Sequence, residues 1–517
     1  MLSVDGNRKI EDSKQRENLK QRAYLNSVTS VLDYGARIVT NFFVTPFLVS
    51  GLGSTLFGAW KVLGQFTSYT NLADIKATQV LKWAVAKDRD SISDEELREY
   101  VTATFFLVMM ILPLLLVAGA VISWYSPRIT NVPAEYYATV RITSSILVLA
   151  LVTNKVFDLF ESILRGMNLG FKRMGFRATV FVIGGGLQVA VVLYEYGLIG
   201  LALVQVLVNL IIGITIYVIV KKNVPWYGWG KVNIKRSFSF FKTSGWFMGW
   251  AGIKMLILNS DKVLLGFLSG PALVTQYVIT EYFMKAANGT IANVVHGVIP
   301  GIGKLYGSGH YEKLYKAREH IMLLTWIIGG TIGTVVILLN ESFIHLWIGP
   351  NQYAGQFVNI LIVLVAFQYM LIQNDSAIIN TTLNIKKKVY IGVISVIISI
   401  PLALLLVPLY GIVGLCIALL AGRMTMSIGY PWIVSNKIEA FLPIKTYIRP
   451  SIILLILGYI SYTVSAGLLL STWIELLFIG IIVMVVTFLI IIAFGLSRQK
   501  QKELWAYIAN IKFLKSE

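Results

Sequence analysis

Apolar runs of about twenty residues, separated by short polar stretches, set the pattern of this chain. "FFLVMMILPLLLVAGAVISW" (Phe105–Trp124) and "LLFIGIIVMVVTFLIIIAFGL" (Leu476–Leu496) are two of them. A helix of about 20 apolar residues crosses the hydrocarbon core of a bilayer. About fourteen such spans are expected, over 24–50, 54–81, 100–124, 136–163, 176–194, 197–220, 239–267, 272–299, 319–340, 355–380, 389–408, 411–435, 450–469 and 473–496. The stretches between them are short. "SGLGS", "YEYG", "GFLSGPA", "VPLYG" and "LLLST" leave no room for an external catalytic domain.

Composition agrees with this pattern. Of the 517 residues 56% are hydrophobic and 14% charged, against about 25% charged in soluble chains. Mean hydropathy is +0.71. The fold class is an all-α polytopic membrane protein. Cys416 is the single cysteine, which excludes an internal disulfide or a cysteine-based metal site. Residues 1–22 are polar and mixed in charge, unlike a cleavable signal peptide, and read as a cytoplasmic tail. The net charge of +19 does not point to nucleic acid, because the bases are spread over short loops. The four histidines are scattered, and no G-x-x-x-x-G-K-[ST] loop is present, so neither a metal site nor nucleotide binding by that route is expected.

The distribution of bases orients the spans. Lys and Arg fall in every second loop, for example Arg165, Lys172, Arg173 and Arg177, then Lys304, Lys313, Lys316 and Arg318, then Lys386–Lys388. The intervening loops hold almost none, with Arg128 the main exception. The positive-inside rule then puts both termini in the cytoplasm. The expected organisation is an N-terminal tail (1–23), an N-lobe of spans 1–6 (24–235), a C-lobe of spans 7–12 (236–446), spans 13–14 (447–497) and a C-terminal tail (498–517).

The lobes are expected to be copies. At an offset of 214 residues, "ESILRGMNLGFKR" (Glu161–Arg173) falls on "DSAIINTTLNIKK" (Asp375–Lys387), and "YGLIGLAL" (Tyr196–Leu203) falls on "YGIVGLCI" (Tyr410–Ile417). "SGLGSTLFGAW" (Ser50–Trp60) matches "LGFLSGPALVTQY" (Leu265–Tyr277) with two extra residues. Six spans per copy preserve orientation, so the copies are expected to be related by a pseudo-twofold along the membrane normal. Two bundles rocking around a central polar cleft is the implied architecture.

The charges inside the spans supply the candidate chemistry. Each costs about 2.5–3.5 kcal/mol at a helix centre on the mildest scale. They fall on spans 1, 2, 4, 7, 8, 10 and 12, which apart from span 12 is a set closed under the repeat. Asp74, Lys76, Lys155 and Glu161 lie towards the cytoplasmic end, where charge is cheaper. Arg37, Lys254, Lys285 and Arg423 lie near mid-span and Lys61 somewhat outward. Asp33 with Arg37 and Glu281 with Lys285 have the acid-first i,i+4 spacing of a helix pair, and read either as structural pairs or as substrate contacts. Asp261 and Lys262 are adjacent, so about 100° apart on a helix. They are expected not to pair, one facing the cleft and one snorkelling outward, as an outer gate or as an interfacial anchor.

"LNSDKVLLGFLSGPALVTQYVITEYF" resembles the seventh and eighth spans of polysaccharide flippases, the exporters of lipid-linked O-antigen and capsule repeat units. "VTPFLVSGLGSTLFGAWKVLGQF" (Val44–Phe66) is similar to their first hairpin, and "MNLGFKR" and "YGLIGLAL" fit as well. These motifs mark the multidrug/oligosaccharidyl-lipid/polysaccharide exporter superfamily over spans 1–12. The resemblance implies transfer of an undecaprenyl-diphosphate-linked oligosaccharide to the outer leaflet of the bacterial cytoplasmic membrane, by alternating access in a cationic cavity. It implies no enzyme activity and no cofactor, and it carries over no individual functional residue. A diphosphate needs cations in low dielectric, so Arg37, Lys61, Lys254, Lys285 and Arg423 are the expected lining. Asp33 and Glu281 above all, with Asp261, Glu161 and Asp375, are the carboxylates for H+ or Na+ coupling or for gating. Expected partners are the lipid-linked oligosaccharide, membrane lipids and a polysaccharide polymerase with its co-polymerase, around a monomer. A peptidoglycan-precursor flippase fits the topology equally well. A multidrug antiporter fits less well, because such pumps favour acidic pockets. A non-transporting scaffold does not account for the charge load.

Overall fold

The computed structural model describes residues 2–68, 77–88, 92–231, 234–382, 385–438 and 445–502. The described residues are almost wholly helical. Nine helices among them are long and apolar enough to cross a membrane, which makes this a multi-pass membrane protein. Two of these reach into a second expected span: Lys386–Lys437 holds both 389–408 and 411–435, and Val28–Gln65 holds most of the first span and the opening of the second. They lie in α1 (Leu2–Ser68) and α12 (Lys386–Ile438), which break at Gly53 (φ 71°) and Gly411 (φ 54°). No helix over spans 4, 7 or 8 is among the nine: that over span 7 carries Lys254, Asp261 and Lys262, and span 8 is divided between Pro271–Thr280 and Tyr282–Gly307. The segment read as an N-terminal tail is already helical from Leu2. Asp74 and Lys76 lie outside the described residues.

Two compact units divide the chain at Ala272 and Leu273. The first holds α1, α2 (Ala77–Asp88), α3 (Asp94–Thr130), α4 (Tyr137–Gly166), α5 (Phe171–Leu193), α6 (Gly197–Asn223) and α7 (Ile234–Ser269). Here α5 packs on α1 and α6, α4 on α2, α3 and α6, and α7 on α1 and α3. Lipid tails are as apolar as leucine, so helices associate through small residues and polar bonds rather than through hydrophobic burial. The "GGG" of α5 serves that purpose. A Cβ on Gly184 would stand 2.7 Å from Val208 of α6, and one on Gly185 would stand 2.3 Å from Thr40 of α1. On α6, Gly213 lies flat against the Phe157 ring of α4. An apolar core of Leu81, Val85, Leu97, Leu159, Ile163, Leu164, Leu169 and Val220 fixes the end of this unit that carries the α4–α5 turn.

The second unit holds α8 (Pro271–Thr280), whose first two residues precede the division, α9 (Tyr282–Gly307), α10 (Tyr311–Trp347), α11 (Gln356–Thr381), α12, α13 (Lys445–Ser465) and α14 (Trp473–Ile490). A single turn of π-helix, Ile491–Gly495, extends α14. Helix α10 is the centre, packed by α9, α11, α13 and α14. Its apolar stretch is 78% buried, against 22% for the stretch of α3, the corresponding third span of the first copy. On one side of α10, Leu457 of α13, Ile491 and Ile492 of the π-turn and Leu496 just after it close over Leu323 and Ile327.

The 214-residue offset reappears in backbone geometry. Gly197 and Gly411 sit at the start of the sixth and twelfth spans with φ of 56° and 54°. L side chains avoid this region, so both copies keep glycine where the chain reverses. Three residues on, Gly200 and Gly414 each abut the preceding helix, a Cβ falling 2.3 Å from Val191 and 2.2 Å from the Leu406 carbonyl.

Candidate functional site

The charged side chains gather into distinct groups, each built by the packing of its own unit. In the first unit the group forms where α4 turns into α5. Helix α4 can end tightly against α2 because Gly166 leaves no side chain between it and Val85. Asn168 takes a left-handed conformation (φ 56°), and Leu169 N–H donates to the Leu164 carbonyl at 2.8 Å. The chain thus reverses within four residues, and the first turns of α5 come back alongside α4. Arg173 Nη2 lies 3.1 Å and Arg177 Nη1 3.9 Å from the Glu161 carboxylate, which Arg165 also grips. Arg37 of α1 donates to Asp33 at 2.6 Å, as the i,i+4 spacing predicts. The Phe181 ring of α5 lies under the guanidinium groups of both Arg37 (4.5 Å) and Arg177 (5.4 Å).

Two carboxylates do not satisfy four guanidinium groups, each with five N–H donors. Arg37 Nε, Arg173 Nε and Nη1, and Arg177 Nε are buried and meet no hydrogen-bond acceptor among the described residues. A buried unmet donor costs about 1–3 kcal/mol, more when charged. Sequence reading placed Arg173 and Arg177 only as loop bases and missed this arrangement. The signal available was their spacing of four, which puts both on one face of α5.

The remaining predicted residues of the first unit stand apart from that group. Lys61, on α1 beyond its break, lies over the Phe57 ring at 4.7 Å. Lys254 is exposed on α7. Asp261 and Lys262 depart from expectation. Lys262 Nζ reaches Asp261 Oδ2 at 3.2 Å, and the Lys262 backbone N–H donates to Asp261 Oδ1 at 2.8 Å. Both side chains are buried, so neither snorkels outward. The angular argument fails because the four-carbon lysine stem folds back across the angle between the two Cβ directions.

In the second unit Glu281 occupies the junction of α8 and α9, with Lys285 Nζ at 3.8 Å. Lys285 is exposed and Glu281 mostly covered. Asp375, at a repeat-equivalent position to Glu161, also binds arginine. Arg318 of α10 grips it through two bonds of 2.7 and 3.0 Å and donates a third to Ser435 of α12 at 3.2 Å. The acid is common to the two copies, but its bases come from the following helix in one and the preceding helix in the other. Arg423 is buried over the Tyr369 ring (5.0 Å), and its Nη1 donates to the Val365 carbonyl of α11 at 3.4 Å. Its repeat equivalent, Asn209, likewise donates to the Ala150 carbonyl of α4. Position 423 is therefore a helix-to-helix tie. No group of three or more His, Cys, Asp or Glu among the described residues is placed to hold a metal ion.

No family model matches the chain, and no curated protein matches it. Solved structures do. The chain is similar to the lipid II flippase MurJ in an inward closed conformation, with a TM-score of 0.70, 15% identity, and 90% of this chain and 97% of that chain covered. It is similar to an inward-facing multidrug resistance MATE family transporter of the MOP superfamily (TM-score 0.61, 14% identity, 78% and 96% covered). A MOP superfamily transporter from Pyrococcus furiosus, described as having a binding pocket of reverse polarity, matches with TM-score 0.56, 15% identity and 81% and 96% covered. The chain has the fold of these flippases and transporters, and none of the three is described as an enzyme.

Proposed function

We propose that the protein is a flippase that carries an undecaprenyl-diphosphate-linked oligosaccharide repeat unit from the cytoplasmic to the outer leaflet in surface polysaccharide assembly. The observation that supports this best is a surplus of bases within the helices of a fold shared with the lipid II flippase. A diphosphate is a double anion, and its passage through low dielectric requires cations. Arg37, Lys61, Lys254 and Lys285 are the contacts in this reading. Arg423 adds positive charge while tying α12 to α11. Asp33 and Glu281, each beside a cation four residues on, take H+ or Na+ for coupling. Glu161, Asp261 and Asp375, held by basic partners, act in gating. The protein works as a monomer in the bacterial cytoplasmic membrane with both termini inside, and hands its product to a polymerase and co-polymerase. A second reading, transfer of the peptidoglycan lipid precursor, is favoured by the TM-score of 0.70 to the lipid II flippase.

The test is neutralisation. Arg37→Gln, Lys254→Gln, Lys285→Gln and Arg423→Gln keep bulk and remove charge. One charge contact at an effective dielectric of about 20 is worth up to about 4 kcal/mol, so much of the export should be lost. The measurement is outer-leaflet glycan in a strain lacking its own flippase, at matched protein level. Full activity in all four variants would overturn the cationic mechanism. Recovery in Glu281→Gln/Lys285→Gln would reduce Lys285 to a structural partner.

A further inference from the structure

Among the described residues, the four guanidinium groups of Arg37, Arg165, Arg173 and Arg177 face two carboxylates, Asp33 and Glu161, a surplus of two positive charges in one group. A purely structural cluster at this depth would be expected to balance its charge. An unbalanced one is costly in low dielectric unless a further anion joins it.

The donors show what kind of anion fits. Arg173 is 3% exposed, yet its Nε and Nη1 have no acceptor among the described residues, and the same is true of Arg37 Nε and Arg177 Nε. These donors come from α1 and from successive turns of α5, and a single halide ion cannot meet them all. A tetrahedral oxyanion presents several acceptor oxygens in different directions, and the guanidinium fork matches phosphate in pairs. The Phe181 ring under Arg37 and Arg177 holds two of the forks in place without using their N–H groups. Exposure rises from Arg173 to Arg165, which is 44% exposed, so the group opens to its surroundings along one side.

We infer that Arg37, Arg173 and Arg177, spaced by Glu161 and Asp33, form a binding site in the first unit for the phosphate of a membrane lipid. Two lipids share this chemistry: the diphosphate-linked substrate and an anionic phospholipid. The identification of the first rests on the proposed function; the site itself does not. In the substrate case the group is a loading point for the diphosphate, reached through Arg165 and Arg37. In the phospholipid case it is a lipid anchor.

The test uses full-length protein in neutral detergent and the double variant Arg173→Gln/Arg177→Gln. One arm titrates inorganic pyrophosphate without added lipid and reads tryptophan fluorescence. The other reconstitutes both proteins in nanodiscs of phosphatidylcholine with phosphatidylglycerol and counts retained phosphatidylglycerol by native mass spectrometry. Loss of pyrophosphate affinity by tenfold or more in the double variant, on the order expected for one lost charged contact, identifies a diphosphate site. Selective loss of bound phosphatidylglycerol identifies a phospholipid site. No difference between the two proteins in either arm overturns the inference. Arg173→Lys/Arg177→Lys should restore part of the binding, which a merely structural role would not produce. Where the double variant does not fold, Arg177→Gln alone serves, since its contact with Glu161 is the longest at 3.9 Å. Neither arm measures transport. A wild-type protein that binds but does not flip removes the flippase reading alone. A flipping protein whose binding ignores the arginines removes this site alone.

Discussion

Arg318 and Asp375 show what a single buried charge pair demands of its surroundings. Both side chains are 1% exposed, and the pair is bidentate with Ser435 taking a third donor. A pair in such a place adds little net stability over an apolar equivalent, but breaking it leaves a lone buried charge at a cost of about 3–5 kcal/mol. Asp375→Asn should therefore lower the melting temperature in detergent strongly, and Arg318→Met/Asp375→Leu should regain most of the loss. If Asp375→Asn melts like the wild type, the pair is not what joins α10, α11 and α12. The Asp261–Lys262 pair teaches a related lesson: neighbouring residues on a helix do meet when one of them is a lysine long enough to turn back.

Among the helices, close approach is set by where glycine stands. Gly185 of α5 lies against Thr40 and Val44 of α1, while Gly186 faces open space. Inserting a branched side chain into such a seam forces the helices apart at about 1–3 kcal/mol. Gly185→Leu should lower thermal stability and yield, and Gly186→Leu should be tolerated. Equal behaviour of the two would show that α1 and α5 are not held by this seam. The same seam positions Arg37 beside Phe181, so a change in it also disturbs the arginine group without touching any charge.

For the whole molecule, the repeat raises the question of what α13 and α14 are for, since they have no counterpart in the first copy. In the second unit they cover α10. Ser342 of α10 accepts from Leu470 N–H at 3.1 Å and donates to the Leu468 carbonyl, and Glu319 pairs with Lys500 at 2.7 Å. Removing everything after Ile438 would strip one side of the most enclosed apolar stretch among the described residues. The truncated protein should lose its monodisperse peak on size-exclusion chromatography in detergent. Retention of that peak would show that the last two helices are accessory.

Local patterns in the chain were enough for its helical, multi-pass character and for the i,i+4 pairs of Asp33 with Arg37 and Glu281 with Lys285. These follow from apolar run length and from residue spacing, both of which are local. Gly197 and Gly411 were legible because only glycine enters their backbone region freely, and Arg37 with Asp33 because four residues make one helical turn. The tertiary structure alone decided that Arg173 and Arg177 return to Glu161, that Arg318 crosses 57 residues to Asp375, and that Arg423 ties two helices. Such contacts depend on how each helix is rotated about its axis and how tightly a loop closes. Those are properties of packed surfaces, and a stretch of apolar residues with no preferred face does not encode them.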